Sequence, residues 1–352
     1  MSGRKLTRQQ TQRVNAQQDK RIQRMQGRKD ELDETSLGAE EEGVVITRFG
    51  KQADIEPRVP ALPGEVVRCR LRTTIDNPVT GDIVVWRRQP PQAEGLPGGG
   101  IVVARLPRRS ELQRPDNYGK LKAIAANIDN VVVVFAPLPA PSSNLLDRYL
   151  SACEASALPP MLLLNKSDIV DTPGHAEALR LAALYTKVGY RVLHCSSREE
   201  HGLDALRAAL CGHTSVFVGQ SGVGKSSLVN ALLPGTALET KEVSDSSGLG
   251  QHTTTSARLF HLPDFNGAPG GDLVDSPGVR EFQLWHVDEE ALEASYIDFA
   301  PFRGHCRFRD CRHLREPDCA LREAAARGEL AAERLENFLR IREGLKDAPE
   351  IR

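Results

Sequence analysis

The sequence predicts a multi-domain α/β chain. It should hold an N-terminal β-barrel, a central mainly parallel sheet with helices on both faces, and a C-terminal helical domain with a metal site. Three observations carry this expectation. Short β-rich runs separated by Gly, Pro and Asn-Pro turns fill residues 43–112. Apolar runs without polar alternation then alternate with helical stretches to about residue 285, as buried parallel strands and their crossover helices do. Three of the seven cysteines crowd between positions 306 and 319.

Composition bounds the rest. With 352 residues, 40% hydrophobic and 26% charged, the chain can build several cores. No apolar run approaches the ~20 residues of a membrane helix. The N-terminus lacks the apolar stretch of a signal peptide. A cytoplasmic protein with no membrane partner is expected. Lysine plus arginine (46) nearly balance aspartate plus glutamate (47), so any nucleic-acid contact must come from local clustering. An odd cysteine count argues against a disulfide framework.

Residues 1–42 read as a tail. Arg4, Lys5, Arg8, Arg13, Lys20, Arg21, Arg24, Arg28 and Lys29 face a single acid, Asp19, before Asp30, Glu31, Asp33, Glu34 and Glu40–Glu42 reverse the sign. Such a segment buries too little to offset its ordering entropy, unless an anionic partner orders it. In residues 43–112, strands are expected at Val44–Arg48, Val66–Arg72 and Ile83–Arg88. Period-2 alternation puts Arg68, Arg70 and Arg72 on one face, and Arg87, Arg88, Arg105, Arg108, Arg109 and Arg114 follow. An OB-fold barrel with one basic face fits.

Residues 113–287 should form the doubly wound domain, with strands at Val131–Ala136, Met161–Asn165, Arg191–Cys195, Thr214–Val218 and Asp272–Asp275. Helical patterns occupy Ala176–Val188, Leu203–Leu210 and Ser227–Leu233. Residues 288–352 should form the metal-binding helical domain, ending in one charged helix from Leu321 to about Leu345.

The strand at Thr214–Val218 runs into Gly219, Gln220, Ser221, Gly222, Val223, Gly224, Lys225, Ser226 and Ser227, a G-x-x-x-x-G-K-[ST] loop between strand and helix. Its glycines let backbone N–H groups wrap a phosphate, and the helix N-terminus adds favourable potential. Lys225 should reach the β- and γ-phosphates, and Ser226 should ligate Mg²⁺.

The strand at Met161 ends in Asn165-Lys166-Ser167-Asp168, an N-K-x-D match. A carboxylate at Asp168 can accept from guanine N1–H and the exocyclic amine, a donor pair that adenine lacks. Lys166 should lie along the base, and Asn165 should tie loops together. Ser196 and Ser197, after the next strand, should back the base. A D-x-P-G motif starts at Asp275, which should hold Mg²⁺, while the Gly278 N–H senses the γ-phosphate. The polar, Gly-rich run Ser244–Thr255, between the phosphate loop and Asp275, suits a switch, with Thr254 or Thr253 completing the Mg²⁺ shell. N-K-x-D precedes the phosphate loop, the reverse of the ordinary GTPase order. The chain therefore reads as a circularly permuted GTPase, in which the same spatial neighbours come from a rejoined chain.

Cys306-x4-Cys311-x-His313-x5-Cys319 offers three thiolates and one imidazole, a set that suits one structural Zn²⁺. His305 is a rival ligand. Arg303, Arg307, Arg309, Arg312 and Arg315 surround the cluster and would face phosphate.

Taken together, the barrel, N-K-S-D, G-Q-S-G-V-G-K-S-S, G-Q-H-T-T-T, D-S-P-G-V and the Cys/His cluster resemble the RsgA (YjeQ) family of bacterial GTPases that depend on the small ribosomal subunit. The resemblance spans about residues 43–345. It implies a GTPase acting late in small-subunit assembly, stimulated by the subunit and released after hydrolysis, with rRNA contacted by the barrel and the zinc domain. It also implies Cys306, Cys311, His313 and Cys319 as the zinc ligands. GTP/GDP, the subunit and its rRNA are then the partners of a monomeric chain.

Val279 follows D-x-P-G, where many GTPases carry a water-orienting glutamine. His252, just before the threonines, is the candidate for that catalytic task, and the resemblance supports it. Two other readings stand beside this one: an ATPase or nucleotide kinase on the same loop, and an RNA-binding assembly factor that uses nucleotide as a clamp without productive hydrolysis.

Overall fold

The computed structural model describes residues 37–60, 62, 64–72, 75, 77–90, 98–115, 120–233, 257–275 and 287–346. Strands β1 (Glu40–Phe49), β2 (Gln52–Pro57), β3 (Val67–Leu71), β4 (Ile83–Arg88) and β5 (Gly100–Arg105) form the barrel. Their order β1-β2-β3-β5-β4 closes through a β1–β4 pairing, and β3 runs parallel to β5, as in an OB-like barrel. Val45, Ile55, Val67, Cys69, Val84, Trp86 and Val102 fill it. Gly100 makes room for Trp86, since a Cβ there would sit 2.5 Å from the Cys69 sulfur and 2.7 Å from the indole. Along β3 the alternation holds, with Val67 and Cys69 buried and Arg68 and Arg70 exposed.

Strand β1 begins at Glu40, inside the segment expected as tail. Glu40, Glu41 and Glu42 pair in register with Arg87, Trp86 and Val85. Their charges are met across the barrel: Glu41 binds Arg88 at 2.9 Å and Glu42 binds Arg58 at 3.0 Å. Cross-strand partners of opposite charge thus recruit acids that look like solvated tail in the sequence.

After a two-stranded hairpin, β6 (Glu111–Pro115) and β7 (Leu121–Ala126), come β8 (Asn130–Phe135), α1 (Ser143–Ala155), β9 (Pro160–Leu164), α2 (Pro173–Val188), β10 (Val192–His194), α3 (Asp204–Leu210), β11 (Thr214–Val218), α4 (Lys225–Leu232), β12 (Arg258–His261) and β13 (Asp272–Asp275). The sheet order is β10-β9-β8-β11-β13-β12, parallel except for β12. Successive strand residues serve opposite faces. Val131, Val133, Leu162, Leu164, Val216 and Val218 pack toward α1 and α2. Val132, Val134, Met161, Leu163 and Phe217 pack toward α3 and α4. That is why these strands carry no polar alternation.

The barrel attaches at the β12 edge, where Thr47 pairs with Arg258. The Thr47 and Thr80 hydroxyls donate to the Ala257 carbonyl at 3.0 and 2.8 Å. His261 bridges the two units, its Nδ1 2.7 Å from Asp272 and its Nε2 2.6 Å from Glu56.

The C-terminal domain holds α5 (Glu289–Ser295), a 3₁₀ turn at Ile297–Phe299, α6 (Ala320–Ala326) and α7 (Ala332–Lys346). Tyr296, Phe299 and Phe338 stack at its centre, Phe338 edge-on to both others at 5.4 and 5.3 Å. The single charged helix expected from Leu321 to about Leu345 is two helices. Gly328, at φ +73°, takes the left-handed conformation that ends α6. The domain docks on α1 and α2 through a buried network. Arg334 binds Asp147 of α1 and, bidentately, Asp298, with Nη2 at 2.6 Å and Nε at 3.1 Å. Tyr185 and Asn337 also donate to Asp147, at 2.6 and 2.9 Å.

Candidate nucleotide site and metal centre

Strands β8, β9 and β11 are parallel neighbours, so the loops at their C-terminal ends converge. Gly219 leaves β11 at φ +140°, where a Cβ would sit 2.2 Å from the Val134 carbonyl of β8. Only glycine lets the loop turn this tightly against the neighbouring strand. Gly224, at φ +96°, starts α4, so Ser226 and Ser227 lie in the helix's first turn. Gln220, Ser221 and Gly222 are exposed along the loop, and Val223 is buried beneath it. The Lys225 ammonium arches back to the Gly219 and Gln220 carbonyls at 2.6 and 2.7 Å.

The N-K-S-D loop is tied directly to this cradle. The buried Asn165 amide donates to the Val223 carbonyl at 2.8 Å. Lys166, in the left-handed region at φ +58°, places its ammonium 2.7 Å from the Gly222 carbonyl and 2.9 Å from the Leu138 carbonyl. Burial and the Arg198 charge lower its pKa, against the pull of Asp168. Ser167 is anchored on the Cys195 carbonyl, its hydroxyl donating at 3.0 Å. Ser196, buried at the end of the next loop, donates from its hydroxyl to Asp168 at 2.7 Å, and Ser197 is exposed beside it. The structure therefore brings the N-K-S-D loop, the loop carrying Ser196 and the G-x-x-x-x-G-K-S loop together, despite their order in the chain.

Asp275 ends β13, next to β11 in the sheet. His252, Thr253, Thr254 and Gly278 lie outside the described residues.

Two contributors escaped the sequence. The β8–α1 loop supplies Leu138, whose carbonyl accepts from Lys166, and Pro139, 3.5 Å from where a Gly222 Cβ would lie. Arg198 stands 3.9 Å from Asp168. Neither belongs to a spaced motif.

Several barrel arginines expected on a free basic face are already paired. Arg68 binds Asp54, Arg88 binds Glu41 and Glu65, Arg108 binds Asp82 and Glu111, and Arg109 binds Asp129. A groove of about 720 Å³ still opens on the barrel, lined by Gln52, Arg68, Arg70, Arg88 and Gln89.

In the C-terminal domain, the ligand atoms of Cys306, Cys311, His313 and Cys319 all lie within 4.8 Å of one another. His313 Nδ1 is 3.2 Å from the Cys319 sulfur and 3.6 Å from those of Cys306 and Cys311. The Cys306 and Cys319 sulfurs are 3.9 Å apart. Tetrahedral bonds of about 2.3 Å to sulfur and about 2.0 Å to nitrogen demand edges of about 3.8 and 3.5 Å, so the four residues fit such an ion. His305 is exposed and outside the group. Glu316 organises the knuckle's backbone. It accepts from the Arg312, Leu314 and Arg315 amides at 3.0, 2.8 and 2.9 Å, and the bond from its own amide, together with these, holds its pKa down to about 2.

The geometry agrees with what is known of similar proteins. A family model described as RsgA GTPase matches residues 105–285. A protein of Azotobacter vinelandii named small ribosomal subunit biogenesis GTPase RsgA is 50% identical over 345 residues, covering 97% of each chain. One of the same name from Hahella chejuensis is 45% identical over 351 residues, covering 99% of this chain and 98% of its own. The crystal structure of YjeQ from Thermotoga maritima superposes with a TM-score of 0.69 at 27% identity, covering 88% of this chain and all of its own. That of YloQ, described as a circularly permuted GTPase, gives 0.67 at 28% identity, covering 89% of this chain and 97% of its own. With its base-reading loop bonded to its phosphate loop across a permuted sheet, and with relatives of this likeness along its whole length, the chain belongs to the RsgA GTPase family.

Proposed function

We propose that this GTPase acts on the assembling small ribosomal subunit, which stimulates GTP hydrolysis, and that it leaves after GDP and phosphate form. The observation that carries the nucleotide half is the Asn165–Val223 bond, which fixes Asp168 relative to the phosphate cradle. Ser196 orients the Asp168 carboxylate, so that its remaining acceptor capacity meets the guanine N1–H and amine. Phosphate draws Lys225 from the loop carbonyls onto its β- and γ-oxygens, while the loop N–H groups and the α4 N-terminus cradle the rest. Ser226, Thr254 and Asp275 would hold Mg²⁺, which when bound neutralises charge on the phosphate oxygens. His252 orients the attacking water, and the Gly278 N–H senses the γ-phosphate. Hydrolysis is then positioning plus charge stabilisation, and it stays slow until the subunit orders the catalytic groups.

The subunit half rests on the names of the relatives and on two surfaces. The barrel groove offers Arg70 beside ion-paired arginines, and rRNA phosphates would compete for those pairs. The knuckle carries Arg303, Arg307, Arg309, Arg312 and Arg315 around Cys306, Cys311, His313 and Cys319, the ligands of one structural Zn²⁺. Among the described residues no helix is long and apolar enough to cross a membrane. We place the protein in the cytoplasm as a monomer, with a barrel domain that takes in β1 from Glu40, a GTPase domain to residue 287 and a C-terminal domain from residue 288.

The test is GTP turnover with and without purified small subunits, with unlabelled ATP as competitor. Strong stimulation by the subunit and indifference to ATP are expected. Equal turnover in both conditions, alongside nucleotide-dependent subunit binding, would replace the enzyme by a clamp.

A further inference from the structure

We propose that Glu293, on α5, is the positioning residue of the metal centre: it fixes the His313 ring so that Nδ1 meets the metal, and so ties the metal to the helix that follows the D-x-P-G segment. This rests on the metal reading above and adds a residue that no ligand motif contains.

The imidazole of His313 is almost fully buried and has two distinct neighbours. Its Nδ1 faces the three sulfurs at 3.2–3.6 Å, and its Nε2 lies 3.3 Å from Glu293 Oε2. A neutral imidazole carries one proton. If Nδ1 gives its lone pair to a metal, the proton sits on Nε2 and donates to the carboxylate. The partner must be an acceptor, and Glu293 is one. A carboxylate there selects the tautomer, stops ring rotation and makes Nδ1 a stronger donor. The His313 backbone adds a constraint. It sits in the left-handed region at φ +58°, so the ring direction is set by the turn as well as by Glu293. Phe338 stands 6.2 Å from the ring centroid and closes its remaining side.

The two acids near the knuckle divide the work. Glu316 gathers the Arg312, Leu314 and Arg315 backbone amides and shapes the loop. Glu293 contacts the ligand ring itself. It comes from α5, which Asp288 caps by accepting from the Ala291 amide at 2.7 Å. That helix begins at Glu289, with Val287 and Asp288 between it and the 276–286 stretch of the chain.

The experiment uses the full zinc-loaded chain. Zinc affinity and release rate are measured by competition with a chromophoric chelator for wild type, Glu293→Ala and Glu293→Gln. Glu293→Ala should bind zinc ~10–100-fold more weakly and release it faster. Glu293→Gln keeps an acceptor oxygen and should fall between them, and it serves if the alanine variant folds poorly. Cobalt-substituted variants should keep the absorption of a tetrahedral three-sulfur site, showing that the ligand set is intact. Long-range proton–nitrogen NMR of the wild type should place the His313 proton on Nε2. Unchanged zinc affinity in Glu293→Ala, or a metal-bound Nε2, would overturn the proposal. A wild-type chain that binds no zinc would overturn the metal reading with it.

Discussion

Arg334→Met tests what holds the C-terminal domain on the GTPase domain. The guanidinium is 1% exposed and faces Asp147, which is fully buried, and Asp298, which is 13% exposed. It also lies over the Tyr296 ring, 4.2 Å from its centroid. Methionine keeps much of the stem's volume and removes the only cation in the network. Asp147 is then left in the interior with neutral donors, Tyr185 and Asn337. Stranding one member of a buried ion pair costs about 3–5 kcal/mol. Asp147→Asn is milder, because Arg334 keeps its bidentate pair with Asp298, and misfitting one amide bond costs about 1–3 kcal/mol. An Asp147→Leu/Arg334→Met double variant removes both charges and should recover part of the loss.

The pH dependence gives the sharper check. Burial holds the Asp147 carboxyl above the ordinary carboxylate range, against the opposing Arg334 charge and the hydrogen bonds from Tyr185 and Asn337. A carboxyl raised in the folded state gains folded-state protons as pH falls, so acid favours the folded form at this site. Without Arg334 the carboxyl rises further, and the deficit of Arg334→Met should shrink from pH 8 to pH 5. A three-domain chain does not unfold in one step. Hydrogen exchange of the α1 and α7 amides is therefore the assay, since it reads the opening of this interface alone. A deficit no larger than that of Asp147→Asn, or one that is flat or grows on acidification, would refute the ion-pair argument.

Asp168→Asn should weaken GTP binding by about a hundredfold or more, because a carboxylate accepting two guanine donors is lost. Affinity should return with xanthosine triphosphate, whose added carbonyl accepts from the amide; equilibrium titration of both nucleotides checks this. His252→Ala should keep GTP affinity and lose subunit-stimulated hydrolysis, so normal stimulated turnover would remove His252 from the chemistry. His261, hydrogen-bonded to Asp272 and facing Glu56, has its pKa raised to about 9. A raised histidine stabilises fully below its unfolded pKa, near 6.5, and loses that contribution as pH rises through about 9. The deficit of His261→Ala, read by hydrogen exchange of the β2 and β12 amides on either side of it, should therefore be largest near pH 6 and fade by pH 10.

The legible parts of the fold were those where one physical requirement dominates. Ile83–Arg88, Thr214–Val218 and Asp272–Asp275 are short β-rich stretches bounded by turn residues, and the structure gives these strands the expected limits. The G-x-x-x-x-G-K-S and N-K-S-D loops stood out as motifs because wrapping a phosphate and reading guanine would each demand fixed residue types at fixed spacing, and the structure bonds the two loops together. Strands β2 and β12 were not, because Asp54 and Glu56 in the one and Arg258 and His261 in the other face ion partners or solvent on charged edges. Their β character comes from pairing with distant strands, which no local pattern records. The hairpin β6–β7 was missed for the same reason. Glu293 was invisible because a carboxylate that orients a ligand needs only spatial nearness, and it lies on α5, outside the loop that carries the cysteines.

The permutation gives the two added domains separate holds on the same site. Residues 234–256, which carry the switch threonines, end at Ala257, whose carbonyl is gripped by Thr47 and Thr80 of the barrel side. Residues 276–286, which follow Asp275, end just before Asp288, the cap of α5 beside the metal cluster. The base-reading side has its own link, since the Leu138 loop that holds Lys166 continues into α1, and α1 carries Asp147 to Arg334. In an unpermuted order the D-x-x-G segment would lead back into the GTPase domain. Here it leads out, and only residues 276–286 separate Asp275 from Val287, next to where the C-terminal domain begins. The barrel takes its share through two hydroxyls on one carbonyl. Both added domains therefore attach at points that flank Asp275 in the chain, so the coupling proposed above between hydrolysis and release would run through the Ala257 carbonyl on one side and α5 on the other.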